Sequence, residues 1–272
     1  MSRTRSKSFW SKYRERWNTA GSLVCVGLDS QLTLLPACVA GDENPIWSFN
    51  RRIIDATKDY AGAYKPNLAF YLSDGLRGYE ALKKTIDYIP EEIPVILDCK
   101  VGDIGNTMAA YLEAFFTDLR VDAITLNPLM GKDVLAPLFA EEQRFAFALA
   151  LTSNPSAEDF LQQDLLCEKI SGWIEANPKE QLGAVVGATQ TKDLSTMRAL
   201  LPDRIFLIPG VGAQGGDLEA VVRQASASRE EPLILVNSSR GIIFKDKTPC
   251  FDNTAALEAE SLKNQINQYL NI

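Results

Sequence analysis

Short apolar runs recur along the chain, with stretches of helical periodicity between them. The apolar runs occupy residues 23–28, 62–71, 94–97, 123–126, 145–151, 184–187, 205–208 and 233–236. Runs without polar alternation are typical of strands buried on both faces of a parallel sheet. Helical patterns lie between them, for example at residues 46–58, 75–88, 107–119 and 217–228. Eight strands alternating with helices predict an α/β fold, a (β/α)8 TIM barrel; an open, doubly wound sheet is the alternative.

The first 20 residues have a different pattern. They are basic, and Phe9, Tyr13 and Trp17 recur every fourth residue, as on one face of a helix. We expect an N-terminal helical extension over residues 1–20 that closes the bottom of a single barrel domain spanning residues 1–272. An organelle-targeting segment is the alternative, because this stretch is rich in Arg and Ser and nearly free of acids. These residues lack the apolar core of a secretory signal. The chain contains no run of about 18 apolar residues, so we expect no membrane-spanning helix.

Composition excludes several classes of function. The formal charge of −7 argues against nucleic acid as a partner, although a local pocket of donors can still bind a small phosphorylated substrate. The five cysteines are an odd number without CxxC spacing, which favours a reduced, cytoplasmic protein. The chain has no histidine, so Ser-His-Asp and Cys-His sites and His-ligated metal sites are impossible.

Polar and turn-forming residues follow nearly every predicted strand, at the rim where barrel active sites are built. On the third strand Asp98 and Lys100 are two residues apart and are expected to point into the barrel mouth, with Asp103 following. Asp29 and Lys65 end neighbouring strands. Carboxylates between lysines stay ionised and the lysines stay protonated, so the array suits a reaction that builds negative charge on carbon and then needs a proton. The alternative is a structural salt-bridge network.

The loops after the seventh and eighth strands are candidates for a phosphate site. They read Pro-Gly-Val-Gly-Ala-Gln-Gly-Gly-Asp at 209–217 and Asn-Ser-Ser-Arg-Gly-Ile at 237–242. Barrels bind phosphate at these loops, where glycines admit backbone N–H groups and Arg240 adds a forked donor. The glycines also match the dinucleotide motif G-x-G-x-x-G, but that motif belongs early in a βαβ unit. Simple tight turns are the other alternative.

The remaining rim residues are weaker candidates. Ser153 and Asn154 suit the polar edge of a heterocycle, although such a pair is more often only a turn. Thr107 could reach a sugar hydroxyl or could simply be an early helical residue. Asn67 and Asn127 are ambiguous in the same way.

Together these motifs resemble the orotidine 5'-monophosphate decarboxylase family. Residues 98–104 look like its D-x-K-x-x-D-I signature, and four companion motifs follow the family's order: residues 27–29, 65–67, 209–214 and 239–240. The resemblance covers about residues 24–244. The Thr-Ser-Asn-Pro turn at 152–155 and the chain length resemble the bacterial second subgroup.

The resemblance implies decarboxylation of orotidine 5'-monophosphate to UMP without metal or organic cofactor. Lys100 would protonate C6 of the pyrimidine, and Asp98 would lie against the departing carboxylate. Lys65 would orient the array, and Asp103 would come from the partner subunit of a homodimer with shared sites. The implied substrate-binding residues are Asp29, Asn67, Ile104, Thr107, Ser153, Pro209, Gln214, Ser239 and Arg240.

Three rival functions are open, two of them enzymatic and one non-catalytic. A sugar-phosphate decarboxylase or aldolase on the same scaffold would have a similar core, but those relatives use a divalent metal, an acid where Leu97 stands and a histidine. A Schiff-base aldolase is disfavoured, since flanking aspartates keep Lys100 protonated. A non-catalytic nucleotide sensor would need the phosphate loops without the lysine–aspartate array.

Overall fold

The computed structural model describes residues 7–188, 191–211 and 217–271. Its eight strands are β1 (Val24–Leu28), β2 (Ala63–Pro66), β3 (Ile96–Val101), β4 (Ala123–Leu126), β5 (Phe145–Leu151), β6 (Leu182–Val186), β7 (Phe206–Ile208) and β8 (Ile234–Ser238). Its helices are α1 (Phe9–Ala20), α2 (Ala37–Ala40), α3 (Pro45–Thr57), α4 (Leu68–Leu72), α5 (Gly75–Tyr88), α6 (Gly105–Leu112), α7 (Leu135–Phe139), α8 (Leu166–Glu175), α9 (Thr191–Leu200), α10 (Leu218–Ala225), α11 (Arg240–Ile243) and α12 (Phe251–Leu270).

All strand pairs are parallel, and the sheet runs in the order β2-β1-β8-β7-β6-β5-β4-β3. Isolated parallel bridges pair Tyr64 with Val95 and Asn67 with Asp98, and the N–H of Tyr64 donates to the carbonyl of Pro94 at 2.9 Å. These contacts join the two end strands. The sheet is therefore a nearly closed (β/α)8 barrel, as the apolar runs predicted, and the open-sheet alternative is wrong.

Three predicted elements differ from the structure. The apolar run at 62–71 is a strand only as far as Pro66, because Asn67 caps helix α4 by accepting the N–H of Ala69 at 3.1 Å. The third strand begins later than the apolar run at 94–97 and extends through the polar residues Asp98 and Lys100. The pattern at 107–119 divides into α6 and a π-helix at Glu113–Asp118.

Helix α1 closes the amino-terminal end of the barrel, as its aromatic spacing predicted. Phe9 packs against Phe145 with ring centroids 4.6 Å apart, and Phe9 is fully buried. Next to it the Nζ of Lys12 lies 2.8 Å from Asp122, an ion pair with side chains 2% and 0% exposed. This end of the barrel is filled with side chains. Among the described residues, no helix is long and apolar enough to cross a membrane.

Candidate active site

A cavity of about 380 Å³ opens at the carboxyl ends of the strands. Every strand or the loop that follows it contributes to the lining. The lining residues are Asp29, Lys65, Asn67, Asp98, Lys100, Thr125, Leu149, Thr152, Ser153, Asn154, Val185, Leu207, Pro209, Gly210, Val211, Asn237, Ser238, Ser239 and Arg240.

Asp98 is the centre of the charged side of this cavity. One carboxylate oxygen, Oδ2, accepts from the Nζ of Lys65 at 2.8 Å, and the other, Oδ1, accepts from the Nζ of Lys100 at 2.6 Å. Lys65 also lies 4.0 Å from Asp29. Lys65 is 4% exposed, whereas the side chain of Lys100 is 51% exposed. The two lysines therefore differ: one is enclosed beneath the carboxylate, and the other extends from it into open space.

The electrostatics fix both charges of the enclosed pair. Burial alone would raise the pKa of Asp98, but the charges of Lys65 and Lys100 outweigh it and hold that pKa well below its usual range. Burial alone would lower the pKa of Lys65, but the charges of Asp98 and Asp29 outweigh it and raise that pKa. Asp98 is thus an anion and Lys65 a cation throughout the neutral range.

A bulge in β3 brings Asp98 and Lys100 together. Leu97 pairs with Ile124 and Val101 pairs with Leu126, so three residues of β3 lie opposite the single residue Thr125 of β4. Lys100 takes a left-handed backbone conformation, with φ of 49°. Simple strand alternation predicted that these two side chains share a side; the structure confirms that they meet, but through an irregular backbone.

The opposite side of the cavity floor is apolar. Leu149 on β5, Val185 on β6 and Leu207 on β7 line it across from Asp98 and the lysines. Apolar walls lower the local dielectric constant and strengthen the fields of nearby charges. A ligand bound between the two sides would experience an asymmetric potential.

Two buried polar atoms in the cavity are unsatisfied within the described part of the chain. Asp29 Oδ1 and Asn237 Oδ1 are out of contact with solvent and accept no hydrogen bond there. Buried acceptors of this kind normally have a partner, which a ligand or an ordered water can supply. The wall of the cavity therefore keeps hydrogen-bond acceptors that the described residues do not use.

Small residues allow the rim loops to approach the strands. A Cβ on Gly27 would lie 2.6 Å from the Cβ of Ser239, and a Cβ on Gly187 would lie 2.6 Å from the backbone of Ser153. Ser239 also donates to the carbonyl of Gly27 at 3.2 Å. These contacts hold the loops after β5 and β8 against the cavity.

The structure brings most of the predicted site residues together. Those that line the cavity are Asp29, Lys65, Asn67, Asp98, Lys100, Ser153, Pro209, Ser239 and Arg240. Asp103, Ile104 and Thr107 do not line it; they lie at the start of α6 and the loop before it, where Ile104 and Thr107 are exposed. Gln214 lies outside the described residues. Asn127 lines a neighbouring apolar pocket instead.

Sequence reasoning missed Thr125 and gave no role to Asn237. Thr125 is the single hydroxyl residue within the buried strand Ala-Ile-Thr-Leu, and a buried hydroxyl requires hydrogen-bond partners. Asn237 is the penultimate residue of β8 and is 8% exposed. A polar residue in a strand that is otherwise apolar was the available signal in both cases.

A nearly closed (β/α)8 barrel with a lysine–aspartate array lining a cavity at its carboxyl-terminal rim has the architecture of a barrel enzyme. The family model described as "Orotidine 5'-phosphate decarboxylase / HUMPS family" matches residues 22–249. An orotidine 5'-phosphate decarboxylase of Bacteroides fragilis is 42% identical over 258 residues, covering 92% of this chain and 93% of the relative. The chain belongs to this family, which catalyses decarboxylation of orotidine 5'-monophosphate in pyrimidine biosynthesis.

Solved structures agree in fold. The OMP decarboxylase of Leishmania donovani superposes with a TM-score of 0.82 at 33% identity and covers 97% of this chain and 99% of that one. The UMP synthase of Leishmania donovani superposes with a TM-score of 0.85 at 36% identity. This chain covers 57% of that longer protein.

Proposed function

We propose that this chain decarboxylates orotidine 5'-monophosphate to UMP and carbon dioxide, with Lys100 as the proton donor. The observation that carries the proposal is the array in which Asp98 is shared between an enclosed Lys65 and an open Lys100. Membership of the family supports the reaction, and the array contains the charged groups that this reaction needs.

The reaction breaks the bond between C6 of the pyrimidine and its carboxylate carbon. The bonding pair stays on C6, and carbon dioxide leaves. The carbanion has little resonance stabilisation, so catalysis depends on fixed charges near C6. Lys100 stabilises that charge electrostatically and then transfers a proton from Nζ to C6, giving UMP. Solvent returns the proton to Lys100.

Asp98 and Lys65 keep Lys100 ready for this step. Asp98 holds the ammonium group of Lys100 at 2.6 Å, which fixes its position at the cavity. Lys65 compensates the buried charge of Asp98 from the other side at 2.8 Å. Asp98 would lie next to the substrate carboxylate.

The substrate ends would bind to different loops. Arg240, Ser239 and Pro209 line the side of the cavity formed after β7 and β8, where we place the 5'-phosphate together with Gln214. Asp29 and Asn67 would contact the ribose, and Ser153 the polar edge of the pyrimidine. Asp29 and Asn237 support this, because both residues line the cavity and their polar side chains can bond to ribose hydroxyls.

We propose a homodimer with shared sites, in which Asp103, Ile104 and Thr107 enter the partner's cavity. Their position outside their own cavity supports this assignment. Exposed apolar side chains nearby also suit an interface: Ile104, Tyr111, Leu129 and Met130 are 51%, 42%, 68% and 54% exposed.

The shared site can be tested by mixing inactive variants. An equimolar mixture of Lys100→Ala and Asp103→Ala, refolded together, should recover about one quarter of wild-type activity, because half of the dimers then have one intact site. No recovery from a mixture shown to exchange subunits would contradict the shared site and leave the activity itself untouched.

We also propose that the enzyme acts in the cytoplasm, without metal or organic cofactor, on a free nucleotide rather than on nucleic acid or a membrane. The five cysteines, none of which forms a disulfide in the described residues, support a reducing compartment.

The activity is tested by following the loss of orotidine 5'-monophosphate absorbance in excess EDTA. Metal-independent conversion to UMP is expected. If folded protein that binds UMP gives no turnover, the assignment is wrong, and sugar phosphates with magnesium would be assayed as the rival substrates.

A further inference from the structure

Thr125 lies directly beneath the catalytic array. It is on β4, is 2% exposed and lines the cavity floor next to Asp98. Its hydroxyl oxygen accepts from the backbone N–H of Cys99 at 3.0 Å and from that of Lys100 at 2.9 Å. The same hydroxyl donates to Oδ1 of Asp98 at 2.9 Å.

These three contacts use the whole capacity of a hydroxyl group, which has one donor and two acceptor positions. Each contact also meets a local need. In the bulge, three residues of β3 lie opposite one residue of β4, so the N–H groups of Cys99 and Lys100 have no regular ladder partner. The Thr125 hydroxyl replaces the missing acceptor for both.

The bulge also places Lys100 in a left-handed conformation that non-glycine residues rarely adopt. Such a conformation persists only where surrounding contacts enforce it. The hydrogen bond from the N–H of Lys100 to Thr125 is such a contact, and it acts on the residue whose side chain carries the proton.

We infer that Thr125 is a positioning residue for the decarboxylation, which fixes the backbone of Lys100 and the carboxylate of Asp98 in one arrangement. Its Oγ1 binds both ends of the Asp98–Lys100 pair and contacts Oδ1, the oxygen that also holds the ammonium group of Lys100. The inference rests on the roles proposed above for Asp98 and Lys100.

The test compares Thr125→Val, which keeps the shape but removes the hydroxyl, with Thr125→Ser, which keeps the hydroxyl. Since misplacing a catalytic group by about 1 Å costs on the order of 10²-fold, the valine variant should lose kcat to about that extent. Its affinity for UMP should stay near wild type, because the phosphate contacts come from other loops. The serine variant should recover most of kcat.

Thr57→Val is the matched control. Thr57 is buried at the end of α3, outside the barrel, and its hydroxyl donates to the carbonyl of Ile53. It should lose stability without losing kcat. If Thr125→Val does not fold, Thr125→Ala replaces it with the same expected kcat loss.

Three results would overturn the inference: wild-type kcat in the valine and alanine variants, an equal kcat loss in the serine variant, or a kcat loss matched by Thr57→Val. The proposed function fails separately, through absence of turnover by the wild-type protein or full activity of Lys100→Ala.

Discussion

The barrel has a buried lysine–aspartate pair at each end, and of these two pairs only the one at the carboxyl-terminal end lines an open cavity. At the amino-terminal end Lys12 and Asp122 lie 2.8 Å apart, both almost fully buried, and Asp122 also accepts the N–H of Val95 at 2.8 Å. At the carboxyl-terminal end Lys65 and Asp98 are also 2.8 Å apart and buried. Burial and distance alone therefore do not distinguish a structural pair from a catalytic one.

The difference is what surrounds each pair. Lys12 is a buried residue of α1, the helix that closes this end of the barrel, and aromatic side chains fill the space beside it. Asp98 instead has a second lysine, Lys100, whose half-exposed side chain lines an open cavity. The pair at the bottom is enclosed, while the array at the mouth keeps the ammonium group of Lys100, the proton donor proposed above, in reach of a ligand. A functional ion pair is recognised by the group that still faces open space.

Replacing Lys100 with Met should have the largest effect. The variant loses both the electrostatic stabilisation of the C6 carbanion and the proton donor, and a positioned general acid alone contributes about 10²–10⁴-fold. We expect kcat to fall at least about 10³-fold while the free energy of unfolding changes little, because the side chain is half exposed. Steady-state kinetics and denaturant unfolding measure both quantities.

Lys169→Met is the control for that measurement, since Lys169 is an exposed residue of α8. Its kcat should equal that of the wild type. A Lys100→Met enzyme with more than a tenth of wild-type kcat would contradict the role given to Lys100.

Replacing Lys12 with Met should give the opposite result. It removes the ammonium group that pairs with the buried carboxylate of Asp122 at 2.8 Å, and breaking a buried pair typically costs about 3–5 kcal/mol. The free energy of unfolding should fall by that order, and kcat of the folded fraction should be retained. Adding Asp122→Asn should restore part of the loss, because the buried negative charge is then removed.

Lys7→Met is the control, because it removes a lysine just before α1 that forms an exposed ion pair. Lys7 pairs with Glu15 of α1, and both side chains are 52% exposed. Exposed pairs contribute little to stability. An equal loss of unfolding free energy in Lys7→Met and Lys12→Met would contradict a structural role for the buried pair.

Replacing Lys65 with Met should change the pH profile. The charge of Lys65 lowers the pKa of Asp98, so removing it raises that pKa. Asp98 then becomes protonated at a higher pH as the solution is acidified. When kcat/KM is measured from about pH 4 to pH 9, its acid limb should lie at higher pH in the variant than in the wild type. An unchanged acid limb, with Lys83→Met as the surface control, would show that Lys65 does not set the charge of Asp98.

The smallest effect is expected at Cys99, which lies between Asp98 and Lys100. Burial raises the pKa of the Cys99 thiol to about 12, so almost no thiolate exists at neutral pH. Iodoacetamide should label the exposed Cys38 and Cys250 and leave activity unchanged. Loss of activity that follows labelling of Cys99, seen by mass spectrometry, would contradict this.

Much of the fold was predictable because buried parallel strands have continuous apolar sequences, and the runs at 123–126 and 145–151 match β4 and β5. The rim residues were predictable because a barrel collects the ends of its strands. The bulge at Lys100 was not, since no residue type signals it; a left-handed lysine breaks the usual preference for glycine. The role of Thr125 was not predictable either, because it depends on the bulge in the neighbouring strand β3.

The comparison of the two ends of the barrel is tested most directly by measuring kcat on orotidine 5'-monophosphate and the free energy of unfolding for Lys100→Met and Lys12→Met side by side. We predict that Lys100→Met loses kcat and keeps its stability, whereas Lys12→Met loses stability and keeps its kcat. Loss of kcat in folded Lys12→Met equal to that in Lys100→Met, or full kcat in Lys100→Met, would contradict the account.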